Sequence, residues 1–355
     1  MREADSLAIA SGISSIRLME YASAFLAKSA MRMSDGEKPI CVFCGSGNNG
    51  GDGFGAAEYL LQDGYEVCAF FVGNDANMTP DCAKMRERFS KIGGEILTFE
   101  SLSEMQKEKV NNASVIIDAI FGIGLSKTVT GKYQKAIELI NSSPSKVLAA
   151  DIPSGIAADT GCVLGEAVKA DVTVTFSMPK IGHYVEPGCV YCGELEVVDI
   201  TIPRRILSNA ATDVFVMTED TFSLKSRDKL SHKGDYGRLL IIAGSVGYTG
   251  APSLCAKAAV RSGAGLVSLG VPSEIYGITA VKNDEAMPFP LCCDPDGKMS
   301  YLAKPAIEEK LENSDVCIIG PGLGRSEDMI KLVQDIARTS EKPIIVDADG
   351  LYALS

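Results

Sequence analysis

Gly45-Ser46-Gly47-Asn48-Asn49-Gly50-Gly51-Asp52-Gly53 is the stretch whose reading decides the fold. It follows an apolar, strand-like run, Pro39–Cys44, and leads into a helical pattern at about residues 54–63. Glycines let a chain turn sharply and approach a ligand, and a helix N-terminus offers unpaired N–H groups to a phosphate. Gly45, Gly47 and Gly50 satisfy G-x-G-x-x-G, a weak signal alone. No Walker A Lys-Ser/Thr pair follows, which argues against a P-loop nucleoside triphosphatase. At the end of the next strand, Val72-Gly73-Asn74-Asp75 offers only a late acid for a ribose.

Outward from this turn the pattern alternates. Residues 5–31 read as helix, broken near Gly12; Tyr65–Val72 reads as strand and Pro80–Ile92 as helix. Ala113–Ile117, Ser145–Ala150, Val172–Phe176 and Glu194–Asp199 read as strands, with a helix at Gln134–Ile140. Such alternation means a parallel sheet covered on both faces, a Rossmann-like three-layer α/β/α domain. The rhythm breaks around Pro203–Lys225, so domains are expected at 1–205 and 226–355 with a junction at 206–225. The second half restarts with strands at Arg238–Ala243, Gly265–Gly270, Asp315–Ile319 and Pro343–Asp347 and a helix at Ala251–Ser262.

A chain of 355 residues suits two such cores. A net charge of -12, with no Lys/Arg-rich run, argues against nucleic-acid or anionic-membrane partners. No apolar stretch is long enough to cross a bilayer, and Met1-Arg2-Glu3-Ala4-Asp5 lacks a secretory layout, so the expected location is the cytoplasm. The 11 cysteines lie largely in apolar segments, as reduced core cysteines do. Cys41 and Cys44 fall within one strand, where positions three apart point to opposite faces, so zinc is not the reading for Cys41/Cys44 and Cys189/Cys192.

Two later strands end alike, on Asp118-Ala119-Ile120-Phe121-Gly122-Ile123-Gly124 and on Asp151-Ile152-Pro153-Ser154-Gly155. Carboxyl ends of strands in an open parallel sheet converge on the ligand crevice, which brings Asn49, Asp118, Asp151 and Ser154 together. Oxygen ligands suit a hard cation. Each Asp alone is as readily a loop cap; together they point to a site.

Gly47–Gly53, Asp118–Leu125 and Asp151–Gly155 jointly resemble the NAD(P)H-hydrate epimerases, Rossmann-like repair enzymes that interconvert R and S forms of NADH or NADPH hydrated at C6. The resemblance spans roughly residues 1–205. It implies that Asn49, Asp118 and Ser154 hold a potassium ion. It also implies that Asn48, Asn49, Gly50, Gly51, Asp52, Gly122, Ile123, Gly124, Leu125, Ser126, Lys127, Thr128 and Asp151 contact the hydrated dinucleotide. Asp151 is the expected acid–base group. Ser177-Met178-Pro179-Lys180 resembles a further family segment, with Lys180 steadying an oxyanion or phosphate, or simply solvated. Relatives often dimerise, so a homo-oligomer is expected. Many relatives show Met-Glu-Asn-Ala-Gly where this chain has Met19-Glu20-Tyr21-Ala22-Ser23, which bears on how the first long helix packs on the site.

In the second half, Gly244–Pro252, Ser262–Val267, Ile319–Gly324 and Val346–Leu351 resemble the ribokinase-like, ADP/ATP-dependent NAD(P)H-hydrate dehydratases, which act on the S form. Ala251 and Gly322 match positions expected to touch the hydrated dinucleotide. Family segments expected farther on, a Pro-His-Pro-Gly-Glu-like stretch and a glycine-rich loop ending in a catalytic Asp, do not occur before Ser355. The domain is therefore read as partial, with no dehydratase activity expected from this chain alone. The competing readings are a ribokinase-like small-molecule kinase and a non-catalytic dinucleotide-binding protein.

Overall fold

Seven short strands form the first sheet, and the central five, rich in Val, Ile, Ala, Phe or Cys, are buried on both faces over most of their length. Such strands sit only in a parallel sheet roofed by helices on both sides. The seven are β1 (Ile40–Cys44), β2 (Val67–Phe71), β3 (Glu95–Thr98), β4 (Val115–Ala119), β5 (Lys146–Ala150), β6 (Val172–Phe176) and β7 (Glu194–Val198). The computed structural model describes residues 1–355 except 102–103, 210–213, 219–220, 222 and 224–225. It divides into two compact units, Met1–Met217 and Thr218–Ser355. The expected junction at 206–225 includes all the residues from 210 onward that lie outside the described set.

In the first unit the strands run in the order β3-β2-β1-β4-β5-β6-β7, every pair parallel. The chain leaves β1 in one direction to β2 and β3, then returns to β4 on its other side. The crevice at this reversal, beyond the carboxyl ends of β1 and β4, is where open α/β sheets bind ligands. Helices α1 (Arg2–Ala10), α2 (Ser15–Met33), α3 (Asn48–Gln62) and α4 (Pro80–Lys91) cover one face. Helices α5 (Glu104–Asn111) and α6 (Lys132–Ser142) cover the other. A short α7 (Arg204–Asn209) follows β7 and meets α1. Cys41 and Cys44 enter the two opposite cores, as their spacing within a strand requires. Phe43 stacks on Phe70 at 4.9 Å, and each such fully buried ring contributes about 1.5–3 kcal/mol.

One expectation needs correction. Residues 48–53 are not a turn ahead of a helix at 54–63; they are its first turns, since α3 starts at Asn48. Its glycines serve close packing. A Cβ on Gly50 would stand 2.0 Å from the Gly45 carbonyl oxygen, and one on Gly55 would stand 2.2 Å from Ser23 Oγ. Ser23 of α2 fits opposite a bare Gly55, and its hydroxyl donates to the Asp52 carbonyl at 3.1 Å. The break near Gly12 is real, with φ +97° between α1 and α2. Strand β3 and helix α5 were not foreseen.

The second unit repeats the plan on a smaller scale. Its strands are β8 (Arg238–Ile242), β9 (Leu266–Pro272), β10 (Met287–Leu291), β11 (Val316–Ile319) and β12 (Ile344–Val346), parallel and ordered β10-β9-β8-β11-β12. Helices α8 (Gly250–Arg261) and α9 (Ser273–Lys282) cover one face. Helices α10 (Lys304–Glu312), α11 (Glu327–Thr339) and α12 (Asp349–Leu354) cover the other. The sequence reading missed α9, β10, α10 and α11. No helix among the described residues is long and apolar enough to cross a membrane.

Candidate active site at the sheet's reversal point

The ends of β1, β4, β5 and β6 surround a cavity of about 780 Å³ in the first unit. From the β1 end come Ser46, Gly47, Asn48, Asn49 and Asp52; from the β4 end, Ile120 through Thr130; from the β5 and β6 ends, Asp151, Phe176 and Lys180. Helix α1 closes one side with Arg2, Asp5 and Ile9, and Arg2 Nη2 donates to the Ile123 carbonyl at 2.8 Å, tying this helix to the opposite lip. The N-terminus of α3 carries no side-chain cap, so its first N–H groups are free to meet an anion. Phe121 and Tyr133, in ring contact at 4.8 Å, form an aromatic wall.

Asp151 is the best-organised group. It sits just after β5 at φ +66°, a left-handed conformation tolerated by Asp better than by most residues. Its N–H donates to the Val174 carbonyl at 2.8 Å, prolonging the β5–β6 ladder by one residue. All its side-chain partners converge on one oxygen. Thr175 Oγ1 donates to Oδ1 at 3.1 Å, Phe176 N–H donates at 3.4 Å, and Lys180 Nζ donates through a short ion pair. Lys180 Nζ also donates to Thr175 Oγ1 at 2.7 Å. No donor among the described residues occupies Oδ2. Both members of the pair are 8% exposed, so Lys180 is no solvated surface lysine.

Asp52 lies one helical turn into α3 and faces the same cavity. Burial, reinforced by the Asp151 and Asp5 carboxylates, pushes its carboxyl well above the usual carboxylate range, against the pull of Lys180. Asp5 is pushed up in the same way, first by burial and then by Asp151. Three carboxyls thus crowd the Lys180 ammonium, with the N-terminal ammonium also drawing on Asp5, and burial raises Asp52 well above the usual carboxylate range.

Asp118 and Ser154 meet beneath the cavity floor rather than in its wall. Ser154 Oγ donates to Asp118 Oδ1 at 2.6 Å and Ser154 N–H to Oδ2 at 2.8 Å, while Ile120 N–H adds a bond to Oδ1 at 3.2 Å. Ser154 Oγ in turn accepts from Phe121 N–H at 2.8 Å. Burial pushes the Asp118 carboxyl up to about 6 despite these bonds. No basic side chain is among its partners. Asn49 lines the cavity, its Nδ2 buried without a hydrogen-bond partner. Gly50 and Gly51 also lie behind the wall, packed on Gly45 and Met19.

The sequence reading missed His183, Thr175, Asp5 and Arg2. His183 Nδ1 accepts from Lys180 N–H at 3.0 Å and its Nε2 lies 2.9 Å from the Asp151 carbonyl oxygen. Nothing local in the sequence marks these contacts. In the second unit, a Cβ on Gly322 (φ +67°) would stand 2.9 Å from Ala251 Cβ, so those two expected residues are neighbours.

Residues 15–182 match the family described as YjeF-related protein N-terminus, and residues 239–355 match the family described as NAD(P)H-hydrate dehydratase. The chain is 40% identical over 345 residues to the bifunctional NAD(P)H-hydrate repair enzyme of Thermofilum pendens, covering 97% of this chain and 66% of that one. The enzyme of the same name from Moorella thermoacetica is 39% identical over 350 residues, again with 97% and 66% covered. The chain therefore spans about two thirds of the length of these relatives. A crystal structure of ADP/ATP-dependent NAD(P)H-hydrate dehydratase from Bacillus subtilis covers 40% of this chain and 48% of its own, at 30% identity and a TM-score of 0.31. The relative from Coxiella burnetii is 34% identical over 357 residues, covering 100% of this chain and 70% of that one. With both family matches in the same order, the chain belongs to the bifunctional NAD(P)H-hydrate repair enzyme family.

Proposed function

We propose that the first unit epimerises hydrated NADH or NADPH at C6, with Asp151 as the base and Asp52 as the acid. The substrate is a hemiaminal: C6 carries a hydroxyl and is bonded to ring nitrogen N1. Inverting C6 requires it to become planar and then close again on its other face. In ring opening the hydroxyl proton leaves, C6–O becomes a carbonyl, the C6–N1 electron pair moves to nitrogen, and nitrogen takes a proton. Closure reverses each step, so no atoms or electrons are gained or lost. Departure of the hydroxyl instead, followed by return of water, makes the same demand for one proton acceptor and one donor.

The observation that carries this reading is the division of labour within the Asp151 carboxylate. Oδ1 is held by Thr175, Phe176 and Lys180, while Oδ2 is left for a reacting proton. Asp52, whose carboxyl burial and the Asp151 and Asp5 carboxylates push well above the usual range, is the group suited to supply the complementary proton. Lys180 pairs with Asp151 Oδ1 where both side chains are largely buried. The α3 N-terminus and the loop from Gly122 to Thr128, with Lys127 exposed on it, suit the pyrophosphate.

A potassium ion fits the floor of this site. Asp118 is wholly buried with no basic side chain among its hydrogen-bond partners, Ser154 Oγ bonds to it, and the Asn49 amide at the cavity adds an oxygen-bearing group rather than sulfur or imidazole. Asn49, Asp118 and Ser154 would hold the ion, which would supply the missing positive charge under the Gly122 loop. Family membership links the second unit to nucleotide-dependent dehydration of the S form, with Ala251 and Gly322 assigned to the hydrated dinucleotide, and the residues expected to complete that catalysis are not among those of this chain, so epimerisation is the activity proposed for it. The cytoplasm, where reduced nicotinamide nucleotides are abundant, is the expected setting.

The test starts from purified R-form hydrated NADH and follows the S form by chromatography, against the spontaneous rate. Acceleration that disappears in Asp151→Asn supports the reading. A folded protein without acceleration ends it.

A further inference from the structure

The chain has two histidines, and one of them is inside the Asp151–Lys180 network without touching the cavity. His183 is 4% exposed and lies in the short 3-10 turn Ile181–His183, just after Lys180. A backbone N–H can only donate, so Nδ1, which receives Lys180 N–H at 3.0 Å, carries no proton. A carbonyl oxygen can only accept, so Nε2, at 2.9 Å from the Asp151 carbonyl, carries one and donates it. The two partners alone therefore fix a neutral ring with its proton on Nε2. Burial and the adjacent Lys180 ammonium push the imidazole down to about 4, in keeping with that state.

Both bonds end on the backbone of the two residues whose side chains form the ion pair. This matters most at Asp151, whose left-handed φ of +66° is a conformation that persists only when its surroundings impose it. Val174 holds its N–H and His183 holds its C=O. With the peptide groups on both sides of Cα pinned, the Cα–Cβ bond is fixed in direction, and Thr175, Phe176 and Lys180 then hold Oδ1, leaving Oδ2 without a donor among the described residues in a side chain that lines the cavity.

We propose that His183 is a positioning residue for the epimerase reaction: its imidazole clamps the backbone of Asp151 to that of Lys180 and so aims Asp151 Oδ2 at the substrate. This rests on the epimerase reading. The bond to the Asp151 carbonyl is the one that matters. A displacement of about 1 Å at a catalytic group can cost roughly a hundredfold in rate.

Three variants separate positioning from packing. His183→Ala removes both bonds. His183→Asn places an acceptor at the Nδ1 position and keeps only the Lys180 bond. His183→Gln places a donor near the Nε2 position and keeps only the Asp151 bond. The expected result is that His183→Ala and His183→Asn lose roughly 10- to 100-fold in kcat with KM changed less than threefold. His183→Gln should retain kcat within about tenfold of the parent. Equal losses of kcat in Asn and Gln variants, following their thermal stability, would assign His183 to packing and overturn the proposal. So would a folded His183→Ala variant with unchanged kcat. Nitrogen-15 NMR of the imidazoles gives a readout independent of turnover, simple here because the other histidine, His232, is exposed. An Nδ1-protonated or cationic His183 at pH 7 refutes the clamp even if the wild type proves inactive. Wild-type inactivity with the Nε2-protonated tautomer would refute the epimerase reading, and with it His183's role in that reaction.

Discussion

Replacing Asp151 by Asn changes the proton acceptor while leaving the architecture nearly intact. Asn tolerates φ +66° about as well as Asp, so the backbone at the β5 end has no new reason to move. Its Oδ1 can still accept from Thr175 and Phe176. What changes is the cavity-facing position, where an NH₂ that cannot take a proton replaces Oδ2. Loss of a positioned general base costs about 10²- to 10⁴-fold in rate, and that is the expected fall in kcat. The variant should also be less stable. Lys180, 8% exposed, loses the carboxylate it is paired with, and breaking a buried pair costs about 3–5 kcal/mol. Asp5 and Asp52 feel the same ammonium, so the lower end, about 3 kcal/mol, is expected. The double variant Asp151→Asn/Lys180→Met removes the stranded charge and should regain at least about 1 kcal/mol while staying inactive. The assays are initial rates of R-to-S conversion by chromatography, corrected for the spontaneous reaction, and urea unfolding of all three proteins. An Asp151→Asn protein within tenfold of the wild-type rate would refute Asp151 as the base. A double variant no more stable than the single one would refute the buried pair.

Asp52 gives a prediction about pH. Its folded-state pKa is raised, so the folded protein binds a proton that the unfolded chain releases from about pH 4. Stability should therefore fall as pH rises from that range toward the folded value, and Asp52→Asn should show a smaller loss between pH 5 and 8 in thermal melts; an unchanged difference would count against a buried neutral Asp52. Its kcat should drop at least tenfold, as loss of a proton donor requires. Ser154→Ala deprives Asp118 of its 2.6 Å bond and Phe121 N–H of its acceptor, which should cost about 2–4 kcal/mol by urea unfolding. The wild type should melt higher in potassium chloride than in choline chloride at equal ionic strength, and Ser154→Ala should lose that increment. Equal melting in the two salts would remove potassium from the site. Gly45→Ala would put a Cβ 2.0 Å from the Ile120 carbonyl oxygen, forcing the ends of β1 and β4 apart. About 1–3 kcal/mol of destabilisation and a raised KM are expected, and an unperturbed melt would show the crevice to be looser than its backbone contacts imply.

Much of this protein is legible without coordinates. The alternation of apolar runs with helical patterns dictates parallel sheets roofed on both faces. Once that is granted, Asn49, Asp118, Asp151 and Ser154 must gather at one edge, because each stands at or just beyond the carboxyl end of a strand of the same direction. The positions of β1, β5, β6 and β8 follow from apolar runs bounded by polar or glycine residues. β3 escaped because its residues are only half-buried at the sheet edge, where no unbroken apolar run is required. The start of α3 escaped because glycines ordinarily signal turns; at Gly50 and Gly55 they are there so that Gly45 and Ser23 can come close, a demand made by distant backbone and side chains. Tertiary structure alone decided which oxygen of Asp151 is tied and which is free. It also decided that Asp52 is buried among like charges, that Asp118 bonds to Ser154 beneath the cavity, and that His183 reaches back 32 residues to the Asp151 carbonyl. Periodicity is a local property, written into neighbouring residues. Burial, charge and hydrogen-bond partnership are sums over everything that folding brings near, and they exist only once the chain has closed.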